Sequence, residues 1–104
     1  MGVKITQQGS ECIALLEGDI DHHTAKAMRE IIDDHITQKR PNTLYLDFGR
    51  VSFMDSSGIG LIMGRYKNIR LLGGKLWVVG TSSSMKRIIK LSGLGALGVM
   101  KEDE

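Results

Sequence analysis

The chain has 104 residues with 41% apolar and 25% charged side chains, a length and balance that fit one globular domain and exclude a disordered chain. Net charge is +2 but uneven, since residues 1–52 carry −2 and residues 53–104 carry +4. One cysteine, Cys12, excludes a disulfide framework within the chain, and no apolar run approaches the roughly 20 residues of a membrane span.

Val3 and Ile5 alternate with polar neighbours and predict a short first strand, closed by a turn at Gln8-Gly9-Ser10. Cys12-Ile13-Ala14-Leu15-Leu16 is apolar at every position, which fits a strand covered on both faces or one inside a sheet. Gly18-Asp19-Ile20-Asp21 breaks it, and Asp21 is a good N-cap. Ala25, Met28, Ile32 and Ile36 recur at helical steps up to Lys39-Arg40, before Pro41. Thr43–Phe48 alternates as a strand, and Gly49-Arg50 reads as a turn. From Gly58 the pattern is helical, with Ile62, Tyr66 and Ile69 on one face. Gly60 and Gly64 share a side, each costing about 1 kcal/mol against alanine, and so suggest close packing on the sheet. Gly73-Gly74 predicts a left-handed cap. Lys75–Val79 is the next strand, and Thr81-Ser82-Ser83-Ser84 offers caps for a third helix with Met85, Ile88, Ile89 and Leu91 as its apolar positions. Leu97–Met100 predicts a last short strand. The order β-β-α-β-α-β-α-β describes a single α/β domain over residues 1–104 with a mixed, mostly parallel sheet.

The basic residues Arg65, Lys67, Arg70, Lys75, Lys86, Arg87 and Lys90 recur at helical spacing and read as a solvated face. Few aromatic rings are present for base stacking, so no nucleic acid is expected as partner, and no membrane either. The start of the chain lacks an apolar signal core, and a cytoplasmic protein is expected.

Chemistry concentrates in Asp55-Ser56-Ser57-Gly58. The segment lacks the glycine two positions before the serine that a G-x-S-x-G nucleophile requires, and the histidines all belong to the first helix, so no catalytic residue and no enzyme is expected. Gly58-Ile59-Gly60 misses the dinucleotide fingerprint by one residue, and no cofactor is expected. His22 and His23 project about 100° apart on a helix. His35 lies twelve residues beyond His23 and matches no ligand spacing, so no metal is expected. Two readings of the serines remain, and they do not compete, because a cap can also be a modification site. At least one of Asp55, Ser56 and Ser57 caps the following helix. An exposed hydroxyl at a helix start also suits phosphorylation, because a phosphate there meets free N–H donors.

The run Phe53-Met54-Asp55-Ser56-Ser57-Gly58-Ile59-Gly60-Leu61-Ile62-Met63-Gly64-Arg65-Tyr66-Lys67 resembles the signature segment of STAS domains of the anti-sigma factor antagonist type. Gly18–Ala25, Met85-Lys86-Arg87 and Leu91-Ser92-Gly93-Leu94 resemble the same family, and within it the chain is similar to the sporulation branch of endospore-forming bacteria. The resemblance implies a partner switch. The unmodified antagonist binds an anti-sigma factor that is also a serine kinase and so frees the sigma factor. Phosphorylation of the first serine after the aspartate, here Ser56, ends that binding, and a PP2C-type phosphatase restores it. Ser57 is then the cap. The implied partner surface is Asp21, His22, Asp55, Ser56, Ser57, Gly58 and Ile59, with Asp21 suited to an arginine. A helix beyond the last strand is usual in the family. Lys101-Glu102-Asp103-Glu104 leave no room for one, so this C-terminal helix is expected to be missing and part of one sheet face uncovered. The alternative reading is a ligand-sensing STAS module that binds a nucleotide or small anion at the helix N-terminus after Asp55.

Overall fold

A computed structural model describes residues 2–100, so the polar end read at 101–104 lies outside the described residues. The elements are β1 (Val3–Gln8), β2 (Glu11–Ile20), α1 (His22–Lys39), β3 (Thr43–Met54), α2 (Ser57–Leu71), β4 (Lys75–Val79) and α3 (Ser83–Leu91), followed by a 3-10 turn at Leu94–Leu97. They form one sheet of order β1-β2-β3-β4, in which β1 is antiparallel to β2 and the other pairings are parallel. This is the mixed, mostly parallel α/β domain read from the sequence. Its last strand is reduced to a single parallel bridge between Met100 and Val78, with Val78 N donating to Val99 O at 2.7 Å. Leu94 turns into the core instead, and the segment curls between Gly93 and Gly98, both left-handed.

Both middle strands run further than the glycines suggest. Gly18-Asp19 does not break β2 and Gly49-Arg50 does not turn β3. Register shifts between Leu15 and Glu17 and between Gly18 and Asp19 absorb the irregularity, and Asp47 Oδ1 accepts a hydrogen bond from Gly49 N at 2.9 Å within the strand. β4 ends at Val79, opposite Asp47. Beyond it β2 and β3 continue as a two-stranded arm from the Glu17–Arg50 pair to the Ile20–Met54 pair.

Each parallel crossover steps to the next strand in the same direction, and right-handed connections then put the helices on one face. That face is the core: Cys12, Ala14 and Leu16 of β2, Leu44, Leu46 and Phe48 of β3, and Leu76 and Val78 of β4 are buried against Met28, Ile32, Ile62, Ile69 and Ile89. β2 is therefore the strand inside a sheet, between β1 and β3, that its apolar run allowed, and it is covered by helices on one side only. Ile13, Tyr45 and Trp77 lie in register across the other face. Burial pushes the Cys12 thiol pKa up to about 11, as befits a core side chain.

α1 begins at Asp21 and ends at Arg40 in the left-handed conformation, one residue before Pro41. Gly73, at φ +78, ends α2 by donating to Arg70 O at 2.9 Å. In α3 only Met85 and Ile89 are buried. Ile88 is 37% and Leu91 81% exposed, because they fall away from the axis that faces the sheet. α2 and α3 run back along the sheet, so Lys67, Arg70 and Lys90 in their last turns lie at the end where β3 and β4 begin. Glu17, Asp19, Asp21 and Asp55 lie on and beside the arm, at the opposite end.

Gly60 and Gly64 do not pack on the sheet: a Cβ at either would meet nothing within 4 Å. The close contact belongs to Gly58, where a Cβ would overlap the buried Met54 side chain. Gly58→Ala is expected to destabilise by about 1–3 kcal/mol through overpacking. Gly60→Ala and Gly64→Ala are each expected to stabilise by about 0.5–1 kcal/mol through helix propensity. Thermal or urea unfolding of the three variants checks this, and equal effects at all three positions would contradict it.

Candidate functional site

The arm delivers two helix starts side by side. β2 ends at Ile20 and Asp21 caps α1, while β3 ends at Met54 and passes through Asp55-Ser56 into α2. Asp55 N donates to Ile20 O at 3.1 Å and locks the two exits together.

Asp21 forms a capping box. Its Oδ1 accepts from His23 N at 2.9 Å and Thr24 N at 3.0 Å, and Asp21 N donates to Thr24 Oγ1 at 2.9 Å. The Thr24 hydroxyl also reaches Asp19 O at 2.8 Å. The backbone hydrogen bond from Thr24, helped by that from His23 and by the nearby His23 charge, holds the Asp21 carboxyl below its ordinary pKa. His22 and His23 are exposed with ring centroids 4.1 Å apart. His35 lies about 18 Å along the helix from His23 and bonds Gln7 Oε1 from Nε2 at 2.7 Å. Burial and then Lys39 lower its pKa.

At the second helix start the capping falls to Asp55. Its Oδ1 accepts from Ser57 N at 2.7 Å, and Ser57 is already helical, so Ser57 is not the cap. Ser56 occupies the N-cap position, is exposed, and its side chain makes no capping bond. The donors expected to be free are engaged: Gly58 N bonds Asp55 O at 3.0 Å, and Ile59 N and Gly60 N bond Ser56 O at 3.0 and 3.4 Å. A tight first turn and an adjacent carboxylate thus replace the anion-ready helix end that the sequence suggested. Of the remaining contact residues expected, Asp55 and Ser57 are half-buried, Ile59 packs on the core edge, and Gly58 is buried beneath Met54 and does not reach the surface.

Arg65 departs most from expectation. It is 4% exposed, not on a solvated face. Its Nε lies 2.8 Å from Asp33 Oδ1 of α1, an ionic contact whose angle leaves Nε without a well-formed hydrogen bond, and Nη1 donates to Leu61 O at 3.3 Å. Asn68 Nδ2 donates to the same Asp33 oxygen at 2.9 Å. Burial lowers the Arg65 pKa and the proximity of Arg29 adds to this, while Asp33 opposes both. The clasp ties α1 to α2 below the two helix starts.

Sequence reasoning missed Thr24, which the Asp-x-x-Thr spacing of a capping box signals. It missed Arg29, which shares a helix face with His22 and Ala25. It also missed Phe53, 56% exposed on the arm beside Ser56. Among the described residues no group of acids, histidines and cysteine is placed to hold a metal ion, and no helix is long and apolar enough to cross a membrane.

The STAS domain family model matches residues 3–103. The anti-sigma F factor antagonist of Paenibacillus polymyxa is 38% identical over 82 residues, spanning 79% of this chain and 70% of that protein. The one from Lysinibacillus sphaericus is 35% identical over 80 residues, 77% and 68% of the two chains. Among solved structures the unphosphorylated anti-sigma factor antagonist SpoIIAA superimposes with a TM-score of 0.85 at 29% identity, over 99% of this chain and 89% of the other. The phosphorylated Bacillus SpoIIAA gives 0.78 at 30%, over 99% and 92%.

Two predictions follow from the caps and the clasp. Asp21→Ala is expected to lower the melting temperature at neutral pH. Because the folded-state pKa of Asp21 is depressed, its stabilisation is present above the unfolded value of about 3.9 and lost as pH falls through the folded value, so the gap between variant and wild type should close on acidification below ~4. Melts from pH 7 to 2.5 read this directly. Asp33→Ala, which strands a buried guanidinium, is expected to cost about 2 kcal/mol, below the ~3–5 kcal/mol of a fully buried pair because Asp33 is partly open to water. Arg65→Met, which removes the charge and keeps volume, should cost less; the reverse order in denaturant melts would refute the assignment.

Proposed function

The chain belongs to the STAS domain family, and on that premise we propose that it is an anti-sigma factor antagonist switched by phosphorylation at Ser56. The names of its relatives support the antagonist role, and the observation that carries the switch is Ser56 itself, exposed and free of side-chain bonds on a rigid turn. It is a regulator and a substrate, with no catalytic group of its own. The unmodified protein binds an anti-sigma factor that is a serine kinase, through Asp21, His22, Asp55, Ser56, Ser57 and Ile59, with Phe53 at the rim. The sigma factor is thereby freed. The kinase transfers the γ-phosphoryl group of ATP to Ser56 Oγ, releasing ADP and the hydroxyl proton. A PP2C-type phosphatase returns the hydroxyl by hydrolysis. Sporulation is the setting that the anti-sigma F relatives suggest, and the cytoplasm the compartment.

Chemistry favours release after modification. The phosphate adds roughly −1.5 to −2 charges beside the Asp55 carboxylate, on the surface the partner must cover. A loss of ~3 kcal/mol would weaken binding more than a hundredfold. The alternative of a small-anion sensor at this helix end draws no support from backbone donors that are already bonded.

Incubation with the cognate anti-sigma kinase and Mg-ATP, followed by intact-mass measurement and peptide mapping, tests the reading. One added phosphate on Ser56, absent in Ser56→Ala, is expected. Ser56→Ala should bind the kinase without being released, and Ser56→Asp should bind more than tenfold more weakly. No phosphate from a kinase active on another antagonist would overturn the switch.

A further inference from the structure

A groove of about 230 Å³ runs between α1 and α2 and is lined by His22, Ala25, Arg29, Ser57, Gly60 and Leu61. The switch set out above uses His22 and Ser57 of this wall and gives no role to Arg29, Gly60 or the space between them. Resting on the reading of Ser56 as the modified residue, we infer that this groove receives the Ser56 phosphoryl group, with Arg29 and the His22 imidazole as its counter-groups.

The backbone leaves the phosphoryl group little else. The N–H groups of residues 57–60 are bonded to Asp55 and Ser56, and the Asp55 carboxylate, fixed 2.7 Å from Ser57 N, repels it from that side. Across the groove Arg29 has no ion-pair partner among the described residues. Asp33, one turn further along α1, is taken by Arg65 and Asn68. Arg29 instead stands close enough to Arg65 to disfavour its charge, so an anion arriving beside Arg29 relieves a like-charge contact as well as gaining an opposite one.

Gly60 opens the way. A helical side chain covers the surface over the preceding turn, and at Gly60 that surface is the one around Ser56. A Cβ at Gly60 touches nothing, so no internal packing accounts for the glycine. Its bare backbone leaves the groove open between Arg29 and Ser57, the residue that follows Ser56 in the chain. The charged and titratable groups lining this space are His22 and Arg29 of α1; Asp55 precedes α2 beside it, Arg65 lies beneath, bonded to Leu61 O and held by Asp33, and Asp19, Asp21 and His23 line a separate pocket. Phosphorylation then does more than place a charge: it fills a groove that has His22 of the proposed partner surface on its wall.

The test installs phosphoserine at position 56 by genetic encoding, so that no kinase is needed, and follows its second ionisation by phosphorus NMR. An exposed phosphoserine titrates near about 6. The groove should lower that value by about one unit, a tenfold weaker hold on the proton. Arg29→Gln should abolish most of the shift and Arg29→Lys should keep part of it. Gly60→Val, which fills the groove without removing a charge, should also return the value toward 6. An ordinary titration in the wild-type phosphoprotein, or a shift that survives both Arg29→Gln and Gly60→Val in folded protein, overturns the inference. The two readings fail separately. A kinase that never modifies Ser56 would remove the switch while this titration stood, and an ordinary titration in a protein the kinase does modify would remove only the groove.

Discussion

Parallel pairing of β2 with β3, carried past the end of β4, sets the geometry of the end that carries Asp21 and Ser56. In a sheet trimmed to β4 the chain would leave β3 near Asp47, and Asp21 and Ser56 would begin their helices at unrelated heights. Continued pairing to Ile20 and Met54, closed by the Asp55 N to Ile20 O bond, fixes both exits in one register. Burial of Ile20, Val51 and Met54 anchors the arm to the core. Met54 in turn seats Gly58, so the height of α2 above the sheet is set by a contact that admits no side chain. A surface built in this way can be rigid although its outermost residues are loop-like and exposed.

The Asp33–Arg65–Asn68 clasp serves the same end by other means. Apolar packing alone lets two helices slide, whereas a buried guanidinium held by one carboxylate has few alternative positions that leave it paired. The clasp joins the middle of α1 to the middle of α2, a turn or more from the two caps. Relative motion of the helices would strand a charge in the core, and this ties the spacing between the Asp21 and Ser56 ends to the interior of the protein.

Much of this was legible from local chemistry. Asp21 as N-cap, Arg40 before Pro41, Gly73 as a left-handed stop and Ser82 before α3 each act through neighbours in sequence, and each marks a boundary that the structure keeps. The misreadings divide between contacts made far apart in the chain and local geometry that composition does not reveal. Gly49-Arg50 has turn chemistry, but pairing of Arg50 with Glu17 and of Val51 with Gly18 keeps the strand extended. Arg65 falls in a basic series, and its burial depends on Asp33, thirty-two positions earlier. Gly60 and Gly64 have the spacing of a packing seam and face open space, while the glycine that does pack, Gly58, is distinguished only by where Met54 sits. At the site, Asp55-Ser56-Ser57 announced a cap correctly, yet which of the three provides it was decided by the φ/ψ of Ser56.

The two ends of the molecule are also electrically unlike. Asp19, Asp21 and Asp55 border the arm beside the Glu17–Arg50 pair, whereas from Ser56 to Met100 the chain contains no Asp or Glu, and the far end holds Lys67, Arg70 and Lys90 with Glu11 as the acid at the start of β2. Such a separation is a molecular dipole directed along the strands. In the field of a cationic partner it turns the acidic end forward before contact, raising the productive fraction of collisions. A phosphate at Ser56, if that proposal holds, would add to this dipole instead of cancelling it. Under the proposed switch a modified protein would therefore still meet a cationic partner in the same orientation, and release would act on how long the encounter lasts rather than on how often it occurs.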